Sequence, residues 1–166
     1  MSVTKLKLRI YGDPCLRKKS IPVKEVGVIQ RKLIEAMIET MHDQKGVGLA
    51  APQVGINEQI FVADTGDGPF VFVNPRIIKK SGSEILEEGC LSIPAVMVKI
   101  KRPTKVTVRY LNEFNQPVEE EYTELLARVI QHETDHLNGK LIIDYAGLGE
   151  KKKIKEQLKQ IIEQKE

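Results

Sequence analysis

The sequence predicts an α+β fold in which small mixed or antiparallel sheets pack around one central helix. Three observations carry this: helical spacing of apolar residues over 26–43, short β-branched runs over 59–108, and a second helical stretch over 124–137. The order is helix, strands, then helices, without the strict alternation of a parallel βαβ fold.

Gly12, Asp13 and Pro14 open the chain with a turn. Over 26–43, Ile29, Leu33, Met37, Ile38 and Met41 fall on one helical face before the Gly46 breaker, which predicts an N-terminal core helix. The runs IFVAD, FVFVNP, RIIKK, MVKIKRP and KVTVRYL, separated by Gly, Pro and Asn, read as strands and turns. Thr123 is placed to cap the next helix, and Asn138-Gly139 to stop it; Leu125, Leu126, Val129, Ile130 and Leu137 supply its apolar surface. At 150–166, Ile154, Leu158, Ile161 and Ile162 mark an amphipathic C-terminal helix whose other faces are Lys, Glu and Gln.

The 166 residues suit a single catalytic domain over 1–166, with no repeat and no linker long enough to divide it. Apolar residues at 41% and charged residues at 30% exclude a disordered tail, a fibre and a membrane protein. No apolar run approaches the ~20 residues of a membrane span, and the first ten residues do not form a signal-peptide core, so a cytoplasmic protein is expected. Two cysteines, Cys15 and Cys90, are too few for a disulfide framework and suit a reducing compartment. A net charge of +3 gives no case for sequence-specific nucleic-acid binding.

The chemistry concentrates in Gln131-His132-Glu133-Thr134-Asp135-His136. On a helix, residues four apart differ by only ~40° about the axis, so His132 and His136 project from one face and can share a metal ion. Glu133 is turned by ~100° and can reach a water at that metal. A catalytic site of this kind takes a third protein ligand. Asp144 and Glu150 follow the helix stop closely; upstream, Cys90 in EEGCLS offers a thiolate beside Gly89. A small buried hydrophobe is the other reading of Cys90. The small-residue run GVGLAAPQVG at 46–55 lacks the spacing of a P-loop or a dinucleotide fingerprint.

GVGLAAPQVG, EGCLS and QHETDHLNG, in that order, resemble the three signature motifs of the peptide deformylases, and the resemblance runs over 13–144. It implies a metallo-amidase that removes the formyl group from the N-terminal formyl-methionine of nascent polypeptides. By the same resemblance, Cys90, His132 and His136 hold the metal and Glu133 is the general acid/base. Gln53 and the Leu91 backbone N–H stabilise the oxyanion. Gly46, Val47 and Gly48 pair with the peptide backbone, while Val47, Gly89, Leu125, Val129 and His132 surround the methionine side chain. The family's usual metal is Fe(II), with Zn, Ni or Co able to replace it. The chain looks like the compact bacterial type with a tail helix, where Lys151, Lys152, Lys153, Lys155 and Lys159 would meet the ribosome. Two positions depart from the commoner pattern: Ala95 stands where many members have Gly, and Met97 where some have Arg.

Two other functions suit these residues: a HExxH metallopeptidase with a downstream third ligand, and a binding protein with a structural Cys₂His₂ zinc site using Cys15. His42 is expected as an exposed residue at a helix end and Cys15 as buried packing. Glu88, Arg102 and Asp135 are candidates to brace the ligands.

Overall fold

The computed structural model describes residues 5–165. Pro14–Arg17 forms a 3-10 turn whose preceding Asp13 side chain accepts from Cys15 N, as the Gly-Asp-Pro signal requires. Helix α1 covers Val28–Asp43. Strands β1 (Gly48–Ala50), β2 (Ile60–Ala63), β3 (Phe70–Ser81), β6 (Lys105–Leu111) and β7 (Pro117–Thr123) form one sheet in the order β1-β2-β3-β6-β7. Strands β4 (Glu84–Cys90) and β5 (Ile93–Arg102) form a separate hairpin. Helix α2 covers Glu124–Leu137 and α3 covers Leu148–Lys165. Every named strand pair is antiparallel, which resolves the expected mixed or antiparallel sheets to antiparallel.

Helix α2 lies between the two sheets. One side packs Ala127, Val129, Ile130 and Leu137 against Phe61, Phe72, Val106 and Val108 of the large sheet. Stacking of Phe61 on Phe72, with ring centroids 4.6 Å apart, fixes that surface. A second core holds α1 through Ile34, Met37 and Met41 against Leu49, Ile60 and Val62. The third joins the β4–β5 hairpin to α3, with Ile93, Val98 and Ile100 meeting Ile142 and Ile154.

Several expectations need correction. Ile29 is 78% exposed, because α1 begins only at Val28 and its first turn precedes contact with the sheet; Ile34 takes its place in the core. FVFVNP and RIIKK are one strand with two register shifts, one between Val73 and Arg76, where Asn74 has φ 51°, and one between Ile77 and Lys79. The hairpin partner β4 and the acidic strand β7 were not anticipated, since EILEEGC and PVEEEYT lack β-branched runs. Thr123 sits at the cap position but makes no capping bond. It is still paired with Lys105, and Glu124 at φ 56° makes the strand-to-helix turn without a loop. The stop at Asn138-Gly139 holds: Gly139 has φ 72°, and a Cβ there would lie 2.5 Å from Arg17 O. In α3, Ile154 is buried, whereas Ile162 at the far end is 42% exposed.

Candidate metal centre and substrate cavity

Three elements deliver the site. Helix α2 presents His132 and His136 one turn apart, with ring centroids separated by 5.1 Å. The end of β4 supplies Cys90, whose Sγ is 3.3 Å from His136 Nε2. Ligand atoms of Cys90, His132 and His136 all lie within 4.8 Å of one another, which is the spacing of a site for one metal ion. Pairing is irregular between Glu88 and Cys90: Glu88 faces Val98 and Cys90 faces Ile93, so four residues of β5 arch out opposite Gly89. Ala95, at φ 66°, lies in that arch.

The cluster is suited to a metal on its own chemistry. A thiol and two imidazoles are good ligands for a divalent transition ion, and His136 and Glu133 are buried. Glu133 Oε1 is a buried carboxylate oxygen without a protein hydrogen-bond partner, an arrangement that is costly unless something else enters the site. Glu133 Oε2 is 3.9 Å from His132 Nε2. Burial, opposed by the neighbouring His132, raises Glu133 to about 7. Burial pushes the other imidazole, His136, well below the ordinary histidine range. Burial acts the same way on His132, but the acidic groups of Glu133, Cys90 and Glu88 outweigh it and raise that ring.

Outside the Cys90/His132/His136 cluster stands a buried ionic network. Glu88 accepts from His132 Nδ1 at 2.9 Å, from Arg102 Nε at 2.6 Å and Nη2 at 3.0 Å, and from Arg128 Nη1 at 2.6 Å. Although burial opposes its ionisation, the hydrogen bonds from His132 and Arg102 hold Glu88 at about 2. Arg102 also donates to Asp135, which accepts from Tyr145 Oη at 2.7 Å. Glu88, Arg102 and Asp135 thus meet behind His132, and Glu88 and Arg102 are buried.

Gln53 approaches from the 3-10 turn Ala51–Val54. Its Oε1 accepts from Ala50 N at 2.9 Å, which leaves Nε2 to face Cys90 Sγ at 3.6 Å and to donate to Ser92 Oγ at 3.1 Å. Strand β1 is an edge strand, and it runs so close to α2 that a Cβ on Gly48 would lie 2.6 Å from Glu133 Oε2 and 2.7 Å from Val129 Cγ1. Only glycine fits there.

A cavity of about 720 Å³ opens over these groups. Its lining includes Gly46, Val47, Gly48, Gln53, Gly89, Cys90, Leu91, Leu125, Val129, His132 and Glu133, so every expected site residue except the deeper His136 borders one space. Val47 and Leu125, 44% and 51% exposed, are apolar groups at its mouth. Asp144 instead pairs with Arg17 at 2.7 Å, and Glu150 accepts from Lys99 N. Cys15 is buried with its Sγ donating to Pro52 O, and is not part of the metal cluster; His42, half-exposed, pairs with Asp64 at 2.8 Å.

Sequence reasoning missed Arg128, Ser92, Tyr145 and Leu86, the last of which lines the cavity. Neither Arg128 nor Ser92 left a local signal: at helical spacing Arg128 falls on the polar side of α2 with Gln131 and Asp135, and Ser92 is fully buried beneath Gln53.

The geometry has counterparts among known proteins. The family model described as polypeptide deformylase matches residues 5–152. The peptide deformylase of Thermotoga neapolitana is 52% identical over 139 residues, 83% of this chain and 85% of that protein. The crystal structure of peptide deformylase from Thermotoga maritima superposes with a TM-score of 0.85 at 48% identity, covering 87% of this chain and 99% of that one. That of a peptide deformylase from Legionella pneumophila gives 0.91 at 36% identity and 98% coverage of both. With the family model spanning nearly all of the chain and half of the aligned positions identical in relatives of similar length, this protein belongs to the polypeptide deformylase family.

Proposed function

We propose that this chain is a single catalytic unit over 1–166 that hydrolyses the N-formyl amide of formyl-methionyl nascent peptides, releasing formate. The observation that carries the reading is a buried, unpartnered carboxylate, Glu133 Oε1, beside a Cys90/His132/His136 cluster on the floor of an apolar-mouthed cavity. Among the described residues, Asp144, Glu150 and Cys15 stay outside that cluster, so no comparable feature favours the metallopeptidase or the structural-zinc reading.

Cys90, His132 and His136 would hold one divalent ion, Fe(II) by family resemblance, with Zn, Ni or Co as substitutes. Bound there, the ion supplies a Lewis acid that acidifies water and polarises the formyl carbonyl. Glu133, raised to about 7, is matched to taking a proton near neutral pH and returning it. It removes a proton from the attacking water as the new C–O bond forms. When the C–N bond breaks, it delivers that proton to the departing amine. Gln53 Nε2 and the Leu91 N–H donate to the oxygen on which charge develops; loss of one such donor lowers turnover by ~10²–10³. The edge of β1 at Gly46, Val47 and Gly48 takes the extended peptide as an added strand. The methionine thioether lies against Val47, Gly89, Leu125, Val129 and His132, where an unbranched chain packs well.

The exposed lysines of α3, Lys151, Lys152, Lys153, Lys155 and Lys159, support docking on ribosomal phosphates. Two cysteines, neither in a disulfide, suit a reducing cytoplasm, and no described helix is long and apolar enough to cross a membrane. The deciding experiment is formate release from a formyl-Met-Ala-Ser peptide by anaerobically purified, iron-loaded protein, beside Glu133→Ala. Release that the variant loses while keeping its metal supports the reading; metal-loaded native protein that releases no formate overturns it.

A further inference from the structure

Residue 128 precedes His132 by one helical turn, so both side chains leave the same face of α2. Arg128 is only 8% exposed there and borders the cavity. A guanidinium is stable in such a place only with its donors used and its charge matched. Three donated bonds and one carboxylate supply this, and no buried nitrogen of Arg128 lacks a partner. Nη1 donates to Glu88 Oε2 at 2.6 Å and Ile100 O at 3.1 Å, and Nη2 donates to Glu84 O at 2.7 Å. Glu84 begins β4 and Ile100 lies in β5, so one side chain ties both hairpin strands to α2.

The same contacts reach the metal ligands. Glu88 takes Arg128 on Oε2 and His132 Nδ1 on Oε1, so one carboxylate spans a helical turn. Arg102 is divided between Glu88 and Asp135. Two carboxylates and one guanidinium would leave a negative charge in a buried cluster; Arg128 completes the balance. Glu88 is then free to act as a plain acceptor that fixes the plane and tautomer of His132.

We propose that Arg128 is a positioning residue of the metal centre: through Glu88 and the backbone of β4 and β5 it sets His132 on α2 relative to Cys90 on the hairpin. The proposal rests on Cys90, His132 and His136 being the ligands.

The test uses Co(II) as probe in the full chain, because its d–d and thiolate charge-transfer bands report ligand geometry. Arg128→Met should bind Co(II) ~10–100-fold more weakly with shifted bands, the range seen when a partner of a metal ligand is lost. Its kcat at saturating Co(II) should fall more than KM rises. Arg128→Lys, which restores the charge but not all three bonds, should recover part of each effect. Arg109→Met, at an exposed ion pair with Glu119, should change none of them. Arg128→Met that melts earlier yet keeps the native Co(II) dissociation constant and spectrum would overturn the proposal, and if it does not fold, native values in Arg128→Lys do the same. His132→Ala run in parallel separates the two readings: native Co(II) bands in that variant reject the ligand assignment itself, and the proposal with it.

Discussion

Glu88 Oε1 accepts a hydrogen bond from His132 Nδ1 at 2.9 Å. Because the carboxylate is held at about 2, it is acceptor only at neutral pH, so Nδ1 carries a proton, and in the neutral ring Nε2 is the nitrogen with the lone pair that a metal requires. The relationship sets a proton position on one ring of the cluster from a residue two places before Cys90.

Removing that carboxylate should therefore damage fold and metal site together. Glu88→Ala leaves Arg102 and Arg128 buried without their shared anion, and breaking a buried pair in this way costs about 3–5 kcal/mol. Metal affinity should fall ~10–100-fold. Urea unfolding and chelator competition measure the two effects. A variant with native unfolding midpoint and native metal retention would mean the network is redundant.

Metal and proton transfer should be separable. A chelator should remove activity and lower the melting temperature, since an ion at 100 times its dissociation constant adds about 2.7 kcal/mol to a fold that binds it. Adding Fe(II) or Co(II) back should restore both. Glu133→Gln should keep the metal and the melting temperature but lose ~10²–10⁴ in turnover, the usual contribution of a general acid/base. Metal content beside kcat checks this, and a Gln variant that loses its metal would make Glu133 a ligand instead.

What could be read in advance divides along physical lines. Helix α2 was legible because His132, Glu133 and His136 have meaning only at helical spacing, and its predicted span agrees with Glu124–Leu137. Cys90 was legible as a candidate third ligand because a cysteine next to glycine is chemically conspicuous, and the resemblance of EGCLS to a family motif is what selected it. Strand β4 was not, because Glu84, Glu87 and Glu88 lack the alternation of a half-buried strand. Glu88 is buried only because Arg102 and Arg128 arrive from β5 and α2, contacts that no local pattern contains. The buried Ser92 and the arch at Ala95 are likewise consequences of register.

Ala95 gives a prediction about that arch. With φ 66°, it adopts a conformation that costs an L-residue roughly 1–2 kcal/mol and glycine almost nothing. Part of the gain from Ala95→Gly is lost to the greater freedom of glycine in the unfolded chain, ~0.4–1 kcal/mol. The net expectation is a stabilisation of about 0.5 kcal/mol, with Ala95→Val destabilising. Denaturant midpoints decide it. A Gly variant less stable than the native chain would mean that contacts of the Ala95 methyl outweigh the backbone cost.

In the large sheet, outside the Cys90/His132/His136 cluster, β6 and β7 carry a pair of phenols. Tyr110 Oη and Tyr122 Oη are 2.7 Å apart, and both phenols are buried. Burial raises both, and the bond to Tyr110 raises Tyr122 further. A folded-state pKa above the unfolded value near 10 means the pair favours folding fully below pH ~10, and this contribution is lost as pH rises from there, when the unfolded chain releases protons that the folded chain retains. Stability should fall with a slope of at most ~1.4 kcal/mol per pH unit for each phenol. Tyr122→Phe alone strands the Tyr110 hydroxyl and should cost ~1–3 kcal/mol at pH 7, whereas Tyr110→Phe with Tyr122→Phe removes both partners and should be nearly neutral. The double variant should also have the shallower alkaline limb, because it no longer binds those two protons differently in the two states. Urea unfolding between pH 7 and 11, with phenolate absorbance followed in the folded protein, measures both effects; an alkaline limb unchanged in the double variant would show that these phenols ionise as readily in the folded chain as in the unfolded one.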